Sequence, residues 1–507
     1  MNRHSTLLSL LSAPLLSLPA AAPAAEPIAV GSVSDLDLEA FGRVVEESQP
    51  SPLPAPTSQR TVTLEESIVI ALESNLRLQI AQLELEATEP LVAETRADFH
   101  PLLGASALAT GTKVDQKTDP DEFTNTYAAS AFAEQNVPTG ATLTVSADYL
   151  RDQKKRELVT STLDRTLAGN APVETIGGFT IEARQPLLRG GRIYVARRRI
   201  LDSEFDVEIV RAALNAEILR VTAETKAAYY EAIRSTRLVE VAEDAIRRNR
   251  DLVEASKALF EAGRVNKRDV YSAEITLAKS EAALASRQAG RLLAQNNLRD
   301  VLGLPIDLQV DIADQSIPFR PVELRLEEWI RSAFENRPEL LQIRKRLEKA
   351  ELETHVRENS VLPQFDAFGL YRRAADTTSH DWESGVQLSI PFGNVGARSA
   401  LSRARIQTAR IERQYVQQER AIELEVRALE ILLRESIGRL EADTRGVVNA
   451  RGKREIAAVR FQLGLANNKD ITDADEDLLQ AESNLLSVVA EYATNLARLE
   501  AAIARPI

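Results

Sequence analysis

Cysteine is absent from all 507 residues. That excludes disulfides, thiolate metal sites, cysteine nucleophiles and a lipid-bearing N-terminal cysteine. Aromatic residues are scarce, at 5%, so a core has to be assembled mainly from Ala, Leu, Val and Ile. Positive charge is in deficit: the formal net charge is -13, which argues against nucleic acid as a partner, because phosphate binding needs a basic face. The chain holds 4 histidines, and His4, His100, His355 and His380 show neither metal-ligand nor triad spacing. The pair Gly190-Gly191 is too little for a phosphate loop. No catalytic residue, metal or cofactor is therefore expected. Beyond the first residues no run of ~20 apolar residues occurs, so a chain that enters a membrane does so as a β-barrel or lies on its surface.

What is present begins with "MNRHSTLLSLLSAPLLSLPAAAPAAEP". Arg3, the apolar stretch Leu7–Leu18 and the small residues Ala22 and Ala24 form a secretory leader pattern over 1–24. Residues 25–60, rich in Pro, Ser, Ala and acid, read as an extended linker. A helical pattern then starts: Thr63 and Glu66 have capping-box spacing, and Leu64, Ile68, Leu72 and Leu76 make a stripe. A helix is expected over Leu64–Phe99 and, by similarity of pattern, another over Leu326–Val361.

Strict alternation marks other segments. Leu143, Val145, Ala147 and Tyr149 alternate with Thr142, Thr144, Ser146 and Asp148. Phe179, Ile181 and Ala183 alternate with Thr180, Glu182 and Arg184, and Trp382, Val386, Leu388 and Ile390 with Glu383, Gln387 and Ser389. Period-two patterning predicts strands with one apolar and one polar face, and no helical segment stands spare to cover the apolar one. Tyr149, Phe179, Tyr371 and Trp382 fit either an interfacial aromatic girdle or ordinary strand packing. After each strand region comes a long helix, expected over Arg192–Ala262 and Ala397–Leu463, then a turn and a shorter helix, Asp269–Leu302 and Asp470–Ile503. Each leading and trailing helix together match one long helix in length, which predicts two short helices stacked end to end beside each long one.

The turns themselves repeat: "FEAGRVNKRDVYSAE" at Phe260–Glu274 and "FQLGLANNKDITDAD" at Phe461–Asp475 share Phe, Gly, Asn, Asp and Ala in order. The economical reading is a duplicated helix–strand–long helix–helix unit. The first copy spans 61–303, with strands about 101–186 and a helical hairpin about 192–302. A linker at 304–323 precedes the second copy, 324–503, with strands about 363–391 and a hairpin about 397–503. The first strand region is longer and holds an extra hairpin, turning at Pro138-Thr139-Gly140.

The duplicated plan, "QPLLRGG" (Gln185–Gly191), "IPFGNVGAR" (Ile390–Arg398) and the paired Gly-x5-Asp turns together resemble the TolC-type outer-membrane efflux proteins (outer membrane factors) over about Thr63–Ile503. The resemblance implies a mainly α protein with a membrane β-barrel portion: a homotrimer whose shared β-barrel in the outer-membrane lipid continues as an α-helical barrel through the periplasm. It also implies a periplasmic adaptor (membrane fusion) protein and an inner-membrane pump of RND or ABC type as partners. The family's usual four strands per protomer contrast with the additional pair this sequence offers. An export duct for efflux or type I secretion is the first reading, a periplasmic coiled-coil scaffold or adaptor without a pore the second, and an enzyme a distant third.

Gly263 and Gly464 are suited to stop the long helices, and Asp269 and Asp470 to cap the next ones as N-cap residues. Asp470 and Asp473 share a helix face, and by resemblance this pair forms carboxylate rings at the periplasmic entrance. Arg264, Lys267 and Arg268 make the first turn basic, while Asp473, Asp475, Glu476 and Asp477 make the second acidic. Mutual attraction of the turns, with Lys267, Arg268 and Asp269 as charge partners of the gate, is one reading; a solvated surface is the other. The family's latch tyrosine and arginine positions hold Phe461 and Ala466. Gly263, Leu463, Gly464 and Leu465 are adaptor-contact candidates by resemblance.

Overall fold

The computed structural model describes residues 58–114, 122–156, 174–319, 321–375, 380–463 and 465–506. The expected leader at 1–24, the linker up to residue 57 and Gly464 lie outside them.

A short strand, β1 (Ser58–Val62), leads to α1 (Leu64–Ser74), which starts on the expected capping box. The Glu66 N–H donates to Thr63 Oγ1 at 3.2 Å, and the Thr63 N–H to Glu66 Oε2 at 2.9 Å. The single helix expected over Leu64–Phe99 is two, because α2 (Leu76–Ala97) begins afresh after Asn75. Asn75 is buried; its Oδ1 accepts from the Arg77 and Leu78 N–H groups at 3.0 and 3.3 Å, and its Nδ2 donates to the Val301 carbonyl at 2.7 Å. A side chain that satisfies orphan N–H groups starts a helix wherever it sits.

Four strands follow: β2 (Leu102–Val114), β3 (Glu122–Asn136), β4 (Thr142–Arg156) and β5 (Glu174–Pro186). One turn of helix, α3 (Ile193–Ala196), precedes α4 (Arg198–Glu261), and the chain reverses into α5 (Lys267–Val301). Next, β6 (Leu308–Ile312) pairs in parallel with β1. The segments read as plain linkers at 25–60 and 304–323 thus each contribute a strand, a pairing across about 250 positions that no local pattern announces.

The rest of the chain forms α6 (Leu326–Asn336), α7 (Pro338–Val361), β7 (Gln364–Ala374), β8 (His380–Ser389), α8 (Val395–Gln462) and α9 (Asn468–Ala502). The helix expected over Leu326–Val361 is also broken. Pro338 lacks an N–H and takes the first position of a new helix, leaving Arg337 extended.

At 64 and 68 residues, α4 and α8 are rods of about 100 Å. Both α2 and α5 lie along α4, and both α7 and α9 lie along α8, as the length comparison requires. The stacked ends meet closely. Gly303, just past α5, has φ +68°, and a Cβ there would stand 2.1 Å from the Ser74 carbonyl oxygen. Only glycine permits both the left-handed backbone and that approach.

The core sits where the short helices break. One cluster joins Val62, Ile70, Val221, Tyr229, Ile233, Leu298, Leu302 and Val310 across β1, α1, α4, α5 and β6. The other joins Trp329, Ile330, Leu340, Ile422, Val426, Leu433, Tyr492 and Leu499 across α6, α7, α8 and α9. In the first, the fully buried Tyr229 places its hydroxyl 2.7 Å from Asp314 Oδ2 and 3.1 Å from the Val62 carbonyl. Burial, then the Asp314 carboxylate, pushes its pKa well above the ordinary 10.0. The neutral hydroxyl is the form the fold stabilises. Its contribution is complete below the unfolded pKa of about 10 and is lost as pH rises through the higher folded value. Tyr229→Phe is expected to cost about 1.5–3 kcal/mol near neutrality and to flatten the alkaline loss. Thermal unfolding from pH 8 to 11 checks both.

Candidate membrane sheet and helical gate

The remaining strands form one sheet in the order β2-β3-β4-β5-β7-β8, antiparallel throughout. The extra hairpin of the first strand region is therefore an integral part of this sheet: β3 and β4 stand between β2 and β5. Register carries the alternation seen in single strands across the whole sheet. Leu103, Ala133, Val145, Ile181, Tyr371 and Trp382 are successive cross-strand partners and share one face. The adjacent row on the other face reads Gly104, Phe132, Ser146, Thr180, Arg372 and Asp381. Among the described residues no helix packs across either face. Trp382 is 74% exposed, and Leu103, Val145 and Ile181 are exposed as well. Of the aromatic candidates, Phe179 and Tyr371 touch, with ring centroids 5.8 Å apart, and Tyr149 and Phe179 also stand on the apolar face. Among the described residues no helix is long and apolar enough to cross a membrane.

The far ends of the rods come together in a third cluster: Leu252 and Val253 of α4, Ala273 of α5, Ala457 and Phe461 of α8, and Ile471 and Ala474 of α9. Phe461 is buried there and Ala466 packs beside it, so both residues at the expected latch positions serve tip packing. Gly263 closes α4 with φ +69°. Asp269 and Asp470 do not occupy the N-cap positions expected of them. The caps are Asn266 and Asn467, and the two aspartates stand three residues on, accepting the Asn266 and Asn467 N–H groups at 3.2 and 3.1 Å. Each carboxylate still satisfies an orphan donor at the positive helix end.

Asp470 and Asp473 are exposed on α9, as are Lys267 and Arg268 at the start of α5. Within the chain these two sets do not meet. Among the described residues no ion pair joins the basic turn to the acidic one, and Lys267 instead lies over the Tyr271 ring, 5.4 Å from its centroid. The acidic helix finds its counter-charges on the long rods. Asp477 pairs with Lys453 at 2.5 Å, which raises the Lys453 pKa. Asp475, 5% exposed, accepts from Arg248 Nε of α4 at 2.9 Å and lies 3.4 Å from Arg454 Nε of α8. Asp475 is a buried tie between three helices, not a solvated charge. A second tie is Asn468, also buried, whose Nδ2 donates to Ser256 Oγ and to the Asp269 carbonyl, both at 2.8 Å. A signal for Asp475 was present: Ile471, Ala474 and Leu478 form the buried stripe of α9, and Asp475 falls within it. The tip leucines Leu463 and Leu465 are each 66% exposed.

A bare sheet with one apolar and one polar face, fused to helices that pack only along their lengths, defines a protein that meets lipid with its strands and spans an aqueous space with its rods. The outer membrane efflux protein family profile matches residues 68–304 and 329–505, and the chain belongs to that family. It is thus an outer-membrane protein with a channel role, and both its family and its structural neighbours are channels rather than enzymes. The fold is shared with the CmeC outer membrane channel of Campylobacter jejuni, at 13% identity and TM-score 0.65, over 87% of this chain and 85% of that one. It is shared likewise with the outer membrane protein VceC of Vibrio cholerae, at 17% identity and TM-score 0.63, over 87% and 96% of the two chains. The open state of the Neisseria gonorrhoeae MtrE outer membrane channel aligns at 16% identity and TM-score 0.61, over 87% and 89%. No curated protein matches the chain by sequence.

Proposed function

We propose that this chain is the passive exit duct of a tripartite efflux or type I secretion machine, fed by an inner-membrane pump of RND or ABC type through a periplasmic adaptor. Three copies share one barrel in the outer-membrane lipid, and their rods form a tunnel through the periplasm. The observation that carries this reading is the uncovered apolar face of the sheet, continuous with rods of about 100 Å that converge on capped tips. Each protomer is built from two copies of one unit, 61–303 and 324–503, joined at 304–323. Both halves follow the same order of broken leading helix, strands, rod and short helix.

In this reading Asp470 and Asp473 face the axis as two rings of three carboxylates and gate the periplasmic entrance. Lys267, Arg268 and Asp269 supply charge around the gate, Lys267 and Arg268 from neighbouring protomers, since among the described residues no ion pair joins these two to Asp470 or Asp473 within one chain. Gly263, Leu463, Gly464 and Leu465 are the adaptor-contact tips; exposed leucines at a helix end offer an adaptor apolar surface to bind. Tyr149, Phe179, Tyr371 and Trp382 belong to the lipid-facing girdle.

Purified protein in planar lipid bilayers tests the duct: a trimer that conducts ions supports it, and one without current refutes it. Rings of carboxylates attract cations. Asp470→Asn with Asp473→Asn is therefore expected to bring the cation-to-anion permeability ratio down towards one, read from reversal potentials in a salt gradient. An unchanged ratio takes both residues out of the gate.

A further inference from the structure

We propose that three copies of this chain close an eighteen-stranded barrel, β8 of each protomer pairing with β2 of the next, in place of the twelve strands that four per protomer would supply. The inference rests on the trimeric duct reading and adds the size of its membrane wall and the seam that closes it.

The sheet has six strands, and among the described residues β2 pairs only with β3, and β8 only with β7, so each protomer presents two open edges. Open edges do not persist in hydrocarbon, because unpaired N–H and C=O groups there cost several kcal/mol each, an order of magnitude set by the absence of water. Six is an even number. With every neighbour antiparallel, β2 and β8 run in opposite directions, so a second copy set edge to edge continues the up-and-down alternation without a fault. The faces match as well: Leu103 on one edge and Trp382 on the other belong to the same apolar row.

The additional strands are bound into the wall. β3 is paired along its length with β2 and β4, from Leu102↔Glu134 to Val114↔Glu122 and from Glu122↔Arg156 to Asn136↔Thr142. Their turn is anchored to the junctions between helices and strands. The Asn136 amide donates to the Asp98 carbonyl at 3.1 Å, and the Gln185 amide to the Thr139 carbonyl at 3.1 Å. Gly140, at φ +86°, lies so near the Gly190 carbonyl that a Cβ would stand 2.5 Å from it.

Girth gives an independent check. Each protomer presents four helical columns side by side, namely α2 with α5, α4, α7 with α9, and α8. Twelve columns at 8–10 Å spacing make a tunnel roughly 95–120 Å around. Eighteen strands about 4.8 Å apart and tilted 35–45° give roughly 105–120 Å, whereas twelve give roughly 70–80 Å. The larger barrel meets the helical tunnel without a taper.

The test is cryo-EM of the full chain in lipid nanodiscs, together with cysteine pairs placed on the two edges: Ala107→Cys or Ala109→Cys on β2 with Ser384→Cys or Val386→Cys on β8. The chain has no cysteine of its own, so every oxidised band reports the seam. Eighteen strands around a trimer, about 1.5 times as wide as a twelve-stranded barrel of equal tilt, with dimer and trimer bands on denaturing gels, is the expected result. A trimer whose barrel counts twelve strands overturns this proposal and leaves the duct intact. A monomer with no shared barrel overturns both.

Discussion

Asp475→Asn is expected to raise basal conductance through the proposed duct. The substitution keeps the shape of the side chain and removes the charge that Arg248 and Arg454 share. Among the described residues Asp475 is the sole carboxylate paired with either arginine, so its loss leaves the largely covered Arg248 without a counter-charge. Breaking a buried pair from one side costs about 3–5 kcal/mol. Every 1.4 kcal/mol that favours the parted over the packed tip changes their ratio about tenfold. Lys453 and Asp477 are both solvent-exposed, and such a pair contributes far less than a buried one, so Lys453→Met serves as the matched control and is expected to leave conductance near that of the parent. Because the penalty is that of an orphaned charge, Arg248→Met with Asp475→Leu is expected to recover much of the closure. Single-channel recording reads all three variants; a tip that stays shut in Asp475→Asn shows that the tie between α4, α8 and α9 does not hold it.

The second large effect is expected in the sheet. Val145→Arg or Ile181→Arg puts a cation in the apolar row that runs from Leu103 to Trp382. An arginine on the lipid face of a barrel near the bilayer midplane costs about 2–4 kcal/mol, incurred once per protomer. Protein recovered in the outer membrane is expected to fall tenfold or more, since about 1.4 kcal/mol already makes a factor of ten. Thr144→Arg and Thr180→Arg, one position away in sequence, point to the polar face. They are expected to leave assembly intact and to alter ion selectivity alone. Equal recovery from both sets would show that lipid does not cover the apolar face. The comparison is sharp because a strand reverses its facing at every residue.

The features legible in the sequence were those written in short-range periodicity. Alternation at Leu143–Tyr149 and Phe179–Ala183 announced strands with two unlike faces. Apolar spacing uninterrupted by proline announced the two rods, and the recurring Phe-x2-Gly turn placed their ends to within two or three residues. The box at Thr63 and Glu66 formed as its spacing requires, since capping involves neighbours only. Two local signals were present and outweighed by the pattern around them: Asn75, whose side chain starts a second helix, and Pro338, which opens one.

Tertiary structure decided the rest, because pairing and charge balance join residues far apart in the chain. Nothing near Ser58–Val62 or Leu308–Ile312 marks them as partners; only the fold brings their edges together. The hairpin of β3 and β4 was visible as two strands, but its place inside the sheet depends on β2 and β5 accepting it on either side. Asp475 looked like one more acid in a charged turn. Its burial against Arg248, more than two hundred residues away, and Arg454, on the preceding rod, is what makes it a tie. Periodicity reports which face of an element is apolar, and only packing determines what that face, or a charge within it, meets.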